Sequence, residues 1–393
     1  MTGNIKVLRI IARLNIGGPA VQAILLTNAL NSGGFESMLV SGMVDRGEAE
    51  MTFLLKEYGV RPVFIRRFAR PINPLNDVIS FFAIYRLIKG YRPHIVHTHT
   101  SKAGFIGRIA AFTAGVPVKV HTFHGHTFSG YFGALKSRIF LGLERFLSRL
   151  TDVVIAISPL QHNDLVKTYK VVDSGKCRVV PLGLPLDGYL SIDPARKTKE
   201  GIGFGDDDIV IGTVGRMTGI KNHKLFLEIA RLFLDSYGGN DVKFVIVGDG
   251  ELKEELIAYR DRLALADKVR VFGWQEDMVR FYSAFDIFLL TSKNEGTPVA
   301  MIEAMASSVP ILSTGVGGVP DVLAGSRGGY MVKGSDPAAF VDKLKAMVSD
   351  KALRNSMGKD ARNAVRETFH KNRLVNDIKG LYTELLKEKG ANR

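Results

Sequence analysis

The stretch LLTSKNEGTPVAMIEAMASSVPIL, residues 289–312, passes from an apolar run through a polar, glycine-bearing loop into a helix and back to an apolar run. Pro298 fits the first turn of that helix, where its missing N–H is not needed. A strand, a helix and a second strand in this order make a parallel crossover unit. The order recurs along the chain. Strand candidates in the first half are Val7–Ala12, Ser37–Val40, Pro62–Ile65, Ile95–Thr98, Val118–Thr122 and Val153–Ile157, with helices such as 21–31, 75–89 and 102–113 between them. In the second half they are Ile209–Val214, Lys243–Val247, Val269–Phe272, Ile287–Thr291 and Pro310–Ser313. Nearly continuous apolar strands alternating with helices predict an α/β fold of doubly wound parallel sheets.

The alternation breaks around Leu182–Asp208, where prolines and glycines interrupt any periodicity, and this segment reads as an interdomain linker. Two domains are expected, residues 1–190 and 191–370, followed by a C-terminal helix over 371–393; the tail from Asp360 to Lys389 looks helical throughout. Two such domains frame a cleft, and ligands of doubly wound sheets bind beyond the carboxyl ends of the strands. Chemistry is therefore to be sought in the loops that follow strands.

Composition narrows the function classes. The chain has 393 residues, 46% hydrophobic and 23% charged, which excludes a disordered chain, a collagen-like fibre and a coiled-coil rod. No apolar run approaches the ~20 residues of a membrane span, and the first residues lack a signal-peptide pattern. The single cysteine, Cys177, excludes an internal disulfide and the cysteine-based zinc sets. The expected compartment is the cytosol. Net charge is +14, of which residues 1–190 carry +12 and residues 191–393 only +2. Such asymmetry points to an anionic partner: a phosphorylated substrate, a membrane surface or nucleic acid. A basic surface that merely aids solubility is the alternative. No recognised nucleic-acid module appears, so nucleic acid is not expected.

Four loops carry candidate chemistry. Gly17 and Gly18 follow the first strand and precede a helix that Pro19 can open. Paired glycines let a ligand approach the backbone, although a plain tight turn has the same sequence. The pattern is not G-x-G-x-x-G. In GRMTGIKNH, Arg216 and Lys221 share one loop-to-helix turn and would clamp a pyrophosphate; two solvated cations fit the spacing equally. Gly248-Asp249-Gly250 would let a nucleotide lie on the backbone, or form a simple turn capped by Asp249. In the opening stretch, Glu295 sits at the strand–helix loop and Glu303 about two turns into the helix. Carboxylates accept hydrogen bonds from vicinal hydroxyls, so both suit a sugar or ribose, and the free amides of that helix start suit a phosphate.

The histidines His97, His99, His121, His124 and His126 cluster in or after two neighbouring strands. No acidic ligand pattern accompanies them, and no metal site is expected. His97 and His121 read as strand residues satisfied by local hydrogen bonds; His124 and His126 remain candidates at the cleft. The acidic triplet Asp206-Asp207-Asp208 lies away from the other motifs and reads as a solvated turn.

Together, EGTPVAMIEAMA (295–306), GRMTGIK (215–221) and VGDGELKEEL (247–256) resemble the family-4 retaining glycosyltransferases, which have the GT-B fold of two Rossmann-like domains. RPHIVHTHTSKAGFIGRIAA (92–111) and VKVHTFHGHTFSGYF (118–132) are similar to members that build bacterial surface polysaccharides. The resemblance covers almost the whole chain. It implies transfer of a sugar from a nucleotide-sugar, with a UDP-sugar the first choice, to an acceptor hydroxyl with retention of configuration. It implies that Arg216 and Lys221 hold the leaving diphosphate, Glu303 the ribose hydroxyls and Glu295 the donor sugar. Gly296, Thr297, Pro298 and Val299 would face sugar or phosphate, Gly17, Gly18 and Gly248 would approach the donor, and His124 would stand near the anomeric centre. No cofactor and no metal are implied. The C-terminal helix would cross back onto the first domain, and the domains would close over the donor. A nucleotide-sugar epimerase of the same fold and a non-catalytic nucleotide-sugar-binding protein are the alternatives.

The basic first half suits a polyprenyl-diphosphate-linked or other saccharide acceptor. Residues 131–150 read as a helix on which Leu135, Ile139, Leu143, Phe146 and Leu150 share a face. Arg138, Arg145 and Arg149 fall opposite, with Lys136 at the apolar edge. Arg66, Arg67 and Arg70 add charge among aromatic neighbours. Such faces suit an anionic membrane surface on the inner side of the cell membrane, or an ordinary core-packing helix with a solvated outer side.

Overall fold

The computed structural model describes the chain except residues 1–3, 16, 32, 45–50, 70, 126–133, 195–197, 240 and 391–393; the side chains of 52 and 134–136 also fall outside the description. Arg70 and His126, and the side chains of Leu135 and Lys136, are therefore outside the described residues.

The chain forms two compact units, one of Met1–Leu184 with Lys371–Arg393 and one of Pro185–His370. The first holds strands β1 (Ile5–Ile11), β2 (Phe35–Gly42), β3 (Val63–Ile65), β4 (Ile95–His99), β5 (Val118–Phe123), β6 (Val153–Ala156) and β7 (Cys177–Val179). They form a parallel sheet in the order β3-β2-β1-β4-β5-β6-β7. The second unit holds β8 (Ile209–Val214), β9 (Val242–Val247), β10 (Val269–Phe272), β11 (Ile287–Leu290), β12 (Ile311–Thr314) and β13 (Gly329–Val332), parallel in the order β10-β9-β8-β11-β12-β13. Both are doubly wound, because the strand order reverses beside the first strand of each sheet.

Strand periodicity sorts the first core into two layers. Val7, Ile95, Val118 and Val153 face the helices Gly18–Leu30 and Lys371–Glu388. Leu8, Ile10 and Val96 face the helices Pro74–Tyr91 and Ser101–Thr113. The Lys371–Glu388 helix buries Leu374, Ile378, Leu381, Tyr382, Leu385 and Leu386 in the first unit. At roughly 1.5–3 kcal/mol for each fully buried large apolar side chain, it is a substantial part of that core. Leu374 lies so close to Gly183 that a Cβ there would come within 2.4 Å of it.

Three expectations are revised. Residues 185–208 are not a free linker: Leu186, Ile192, Ile202 and Phe204 are buried, and short helices form at Asp187–Leu190 and Glu200–Ile202. The first unit accordingly ends at Leu184, before the expected 190. The tail is not one helix, since Lys351–Thr368 ends at Phe369 and Lys371–Glu388 begins in the other unit. On the helix Ala134–Arg149 the shared face is not core: Ile139 and Phe146 are 55% and 51% exposed. Its buried side is Glu144, Leu147 and Ser148, with Glu144 accepting from the buried Arg108 at 2.6 Å.

Candidate active site

In the second sheet β8 leads outward to β9 and β10, and β11 to β12 and β13, so the order reverses between β8 and β11. Loops leaving such a point diverge and make room for a ligand. Arg216 and Lys221 lie on the loop after β8, and Glu295 on the loop after β11. Side chain and backbone stitch the two loops together. Thr291 Oγ1 donates to the Asn222 carbonyl at 3.1 Å, and the Lys293 N–H to the Ile220 carbonyl at 2.8 Å.

Lys221 Nζ donates to Glu295 Oε1 at 2.6 Å, and Ser292 Oγ donates to the same oxygen at 2.6 Å. Glu295 is 8% exposed, and a carboxylate so enclosed needs partners of this kind. Arg216 is exposed. Pro298 is the N-cap of the helix Val299–Ala306 rather than part of its first turn. The amides of Val299 and Ala300 thus open that helix, where geometry gives them no intrahelical acceptor. Beside them Thr297 Oγ1 is buried without a partner among the described residues. Gly296 completes this loop. A phosphate or hydroxyl oxygen is the ligand that free amides and a lone hydroxyl can take.

Glu303 projects from the same helix and is partly buried. Tyr282 Oη donates to its Oε2 at 2.9 Å, and the Tyr189 hydroxyl also donates to it. Burial pushes the Glu303 carboxyl up to about 7, against the two hydroxyls, which favour its ionised form. At Gly248, φ is +144°, and a Cβ would stand 2.1 Å from the Gly215 carbonyl oxygen. The close approach there is between two loops of the protein itself. Asp249 is in an exposed turn, bonded to the Gly250 N–H and to Lys253.

In the first unit Gly17 caps the helix Gly18–Leu30, and among the described residues only Pro19 Cδ, at 3.7 Å, lies near where its Cβ would be. His124 follows β5. Its Nε2 bonds His99 Nδ1 at 2.9 Å, while its own Nδ1 is buried without a partner among the described residues. Burial pushes His124 down to about 3, so the ring is neutral. His97 and His99 share one sheet face and His121 the other, as alternation along β4 and β5 dictates. His97 is satisfied by distant partners rather than local ones: Arg9 on β1, Thr122 on β5 and Tyr382 on the last helix. His121 bonds Thr98 Oγ1 at 2.8 Å. Among the described residues, no three His, Cys, Asp or Glu side chains are arranged to hold a metal ion.

Ser292, Tyr282, Tyr189 and Arg9 were not singled out from sequence. Tyr189 lies in the stretch that read as a linker, and Tyr282 between two strand candidates. Arg9 did carry a signal, as a cation inside the apolar strand VLRII. Arg66 and Arg67 are exposed after β3, with Arg67 bonded to Asn76 at 2.9 Å. Arg138, Arg145 and Arg149 are exposed on the helix Ala134–Arg149, and Arg145 donates to the Tyr169 and Lys170 carbonyls.

Residues 16–187 match the model of Glycosyltransferase Family 4, and residues 195–364 that of glycosyl transferases group 1. An Escherichia coli protein named UDP-Gal:alpha-D-GlcNAc-diphosphoundecaprenol alpha-1,3-galactosyltransferase is 32% identical over 332 residues, 84% of this chain and 85% of that one. The capsular polysaccharide biosynthesis glycosyltransferase CapM of Staphylococcus aureus is 25% identical over 340 residues, 85% of this chain and 88% of that one. Among solved structures, the Anabaena protein HepE in complex with UDP and glucose superposes with a TM-score of 0.79 at 18% identity, over 97% of this chain and 100% of that one. That likeness carries the fold, and the sequence matches carry the activity: the chain is a glycosyltransferase of the GT-B fold and belongs to glycosyltransferase family 4.

Proposed function

We propose that the protein moves a sugar from a UDP-sugar, with retention of anomeric configuration, to a hydroxyl of a lipid-linked saccharide in surface-polysaccharide synthesis. The observation that carries this reading is the placing of Arg216, Lys221 and Glu295 on the two loops that flank the strand reversal of the second sheet. The name of the Escherichia coli relative supports both the donor and the acceptor class. In this reading Arg216 and Lys221 supply positive charge that stabilises the negative charge developing on the leaving diphosphate, so that no metal is required. The departing phosphate oxygen assists removal of the acceptor proton on the same face of the sugar. Glu295 orients the donor sugar, Glu303 holds the ribose, and His124 serves the anomeric centre.

Product analysis tests it, with a UDP-sugar panel, a polyprenyl-diphosphate-linked GlcNAc acceptor and a chelator present. The expected result is free UDP together with an extended acceptor whose new linkage keeps the donor configuration. An inverted linkage overturns retention. An isomerised donor without UDP release makes the protein an epimerase, and an untouched donor makes it a binding protein.

The same reading places the first unit on an anionic lipid surface. Ile139, Leu143 and Phe146 are exposed on the helix Ala134–Arg149, which also exposes Arg138 and Arg149. The Ser101–Thr113 helix, which adjoins it, exposes Phe105 and Phe112. The next, Pro74–Tyr91, exposes Leu75, Val78 and Phe82. Exposed aromatics ringed by arginine suit the headgroup boundary, with each cation worth about 1 kcal/mol. No helix of the described residues is long and apolar enough to cross a membrane. Replacing Ile139, Leu143 and Phe146 together by Ser is expected to abolish flotation with anionic liposomes while leaving the melting temperature within a degree or two. Equal flotation of both proteins would remove this surface from the proposal.

A further inference from the structure

A chain of polar side chains runs beneath the carboxyl edge of the first sheet. It begins at Arg9, which is wholly buried. Among the described residues no carboxylate pairs with it, and its Nε and Nη2 have no partner. Its Nη1 instead lies 3.1 Å from His97 Nδ1 and 3.2 Å from His99 Nε2. The register explains the meeting, since Arg9 pairs with His97 across β1 and β4, and residues 97 and 99 share a face.

A guanidinium can only donate hydrogen bonds. Each imidazole nitrogen facing Arg9 must therefore be bare. At His99 that nitrogen is Nε2, so the ring proton is on Nδ1. That N–H points at His124 Nε2, 2.9 Å away. His124 Nε2 is then the acceptor, and the His124 proton is on Nδ1, the atom that is buried without a partner among the described residues. The same rule fixes His97: Nδ1 is bare toward Arg9, and the Nε2 proton goes to Thr122 Oγ1 at 2.7 Å. Tyr382 closes the network, its hydroxyl 2.6 Å from His97 Nδ1. Burial and the Arg9 charge hold His97 and His99 far below the usual imidazole range, so both rings stay neutral, as the argument needs.

We propose that Arg9, acting through His99, holds His124 as its Nδ1–H tautomer, so that His124 serves the transferase as a neutral hydrogen-bond donor to a ligand oxygen and not as a base. This rests on the reading of His124 as an active-site residue. One nitrogen of His124 already carries a proton, and the lone pair of the other is committed to His99. Neither can accept a proton from an acceptor hydroxyl. Without a partner among the described residues, the Nδ1–H is the group of the ring left for a ligand, and a sugar or phosphate oxygen satisfies it. Arg9 and His99 are positioning residues, since they act through His124.

The test reads the tautomer directly, without turnover. Full-length protein is labelled with 15N-histidine, and long-range proton–nitrogen correlation distinguishes protonated from bare ring nitrogens. The His124 signals are those lost in His124→Asn. The expected pattern at neutral pH is a protonated Nδ1 and a bare Nε2. A protonated Nε2, a doubly protonated ring or an averaged pair overturns the proposal.

Two variants then test the relay. His99→Ala is expected to admit the other His124 tautomer and to lower kcat about tenfold with little change in donor KM. His99→Asn, whose amide N–H can stand where Nδ1–H stood, is expected to restore the tautomer and most of kcat. A changed tautomer with unchanged kcat overturns the donor role. If His99→Ala does not fold, the wild-type spectrum still decides the tautomer. The expected spectrum in a protein that transfers no sugar would overturn the proposed function and leave the tautomer assignment standing.

Discussion

Replacing Arg216 by Ala will lower kcat by about two to three orders of magnitude, the usual cost of removing one charge-stabilising donor from a transition state, while the melting temperature stays unchanged. The side chain is exposed, so its loss disturbs little packing. Lys221→Ala makes the informative contrast. It should cost a similar factor in kcat and also destabilise the second unit. Lys221 is the cation on Glu295, whose side chain is only 7% exposed. Breaking a fully buried pair costs roughly 3–5 kcal/mol. Lys221 is itself a quarter exposed and Ser292 still donates to Glu295, so about 1–2 kcal/mol is the expected loss. Thermal melting should show a drop of a few degrees for Lys221→Ala and none for Arg216→Ala. Arg216→Ala at wild-type turnover would remove the diphosphate clamp, and equal melting of the two variants would remove the structural role given to Lys221.

The second large effect is on donor affinity as a function of pH. Burial holds the Glu303 carboxyl up at about 7. Ribose hydroxyls donate to a carboxylate, so the bound state favours the ionised form and binding releases a proton. Affinity for a nucleotide-sugar should therefore rise with pH and level off above 7. Below 7 it should fall about tenfold per unit, so that pH 5 binding is roughly a hundredfold weaker than binding at pH 7.5. Calorimetry in buffers of different ionisation enthalpy should count the proton released. Glu303→Gln should bind more weakly at pH 7.5 and lose the slope. The stability of the free protein runs the other way. Between about 4.5 and 7 the folded state holds a proton that the unfolded state has lost, so this group makes the protein less stable as pH rises through that window. A flat affinity profile in the wild type would detach Glu303 from the ribose.

The strands that form the middle of each sheet were legible because they are long, apolar and bounded by glycine-bearing loops. β8 falls on the residues expected, and so does the four-residue edge strand β10. β7, CRV, and β13, GYMV, were not read from the sequence. Arg216, Lys221, Glu295 and Glu303 were candidates by loop position, and their proposed roles came from the family resemblance. Their supports were not. Ser292 holds Glu295 from three residues away, a local cue that went unread, whereas Tyr189 reaches Glu303 across more than a hundred residues. Distances of that kind are set by packing, which sequence spacing does not report. The helix Ala134–Arg149 marks the opposite failing. Its apolar face was visible in the spacing, but nothing in the spacing says that Glu144, paired to Arg108, takes the inner side.

The hydrogen bond from the Lys371 N–H to the Leu184 carbonyl, 3.0 Å, brings together two residues far apart in sequence within the first unit. Everything between them belongs to the second unit. The second unit is thus an insertion into the first, entered and left at one place. During synthesis, the layer that receives Leu374, Ile378 and Leu386 stays open while the whole inserted unit is made. The first half of the protein to be translated is therefore the last to finish folding. Tyr382, which closes the buried polar chain on His97, arrives with that final helix. A chain released after residue 370 carries a complete second unit attached to a first unit whose apolar layer is uncovered, a natural substrate for chaperones and proteases.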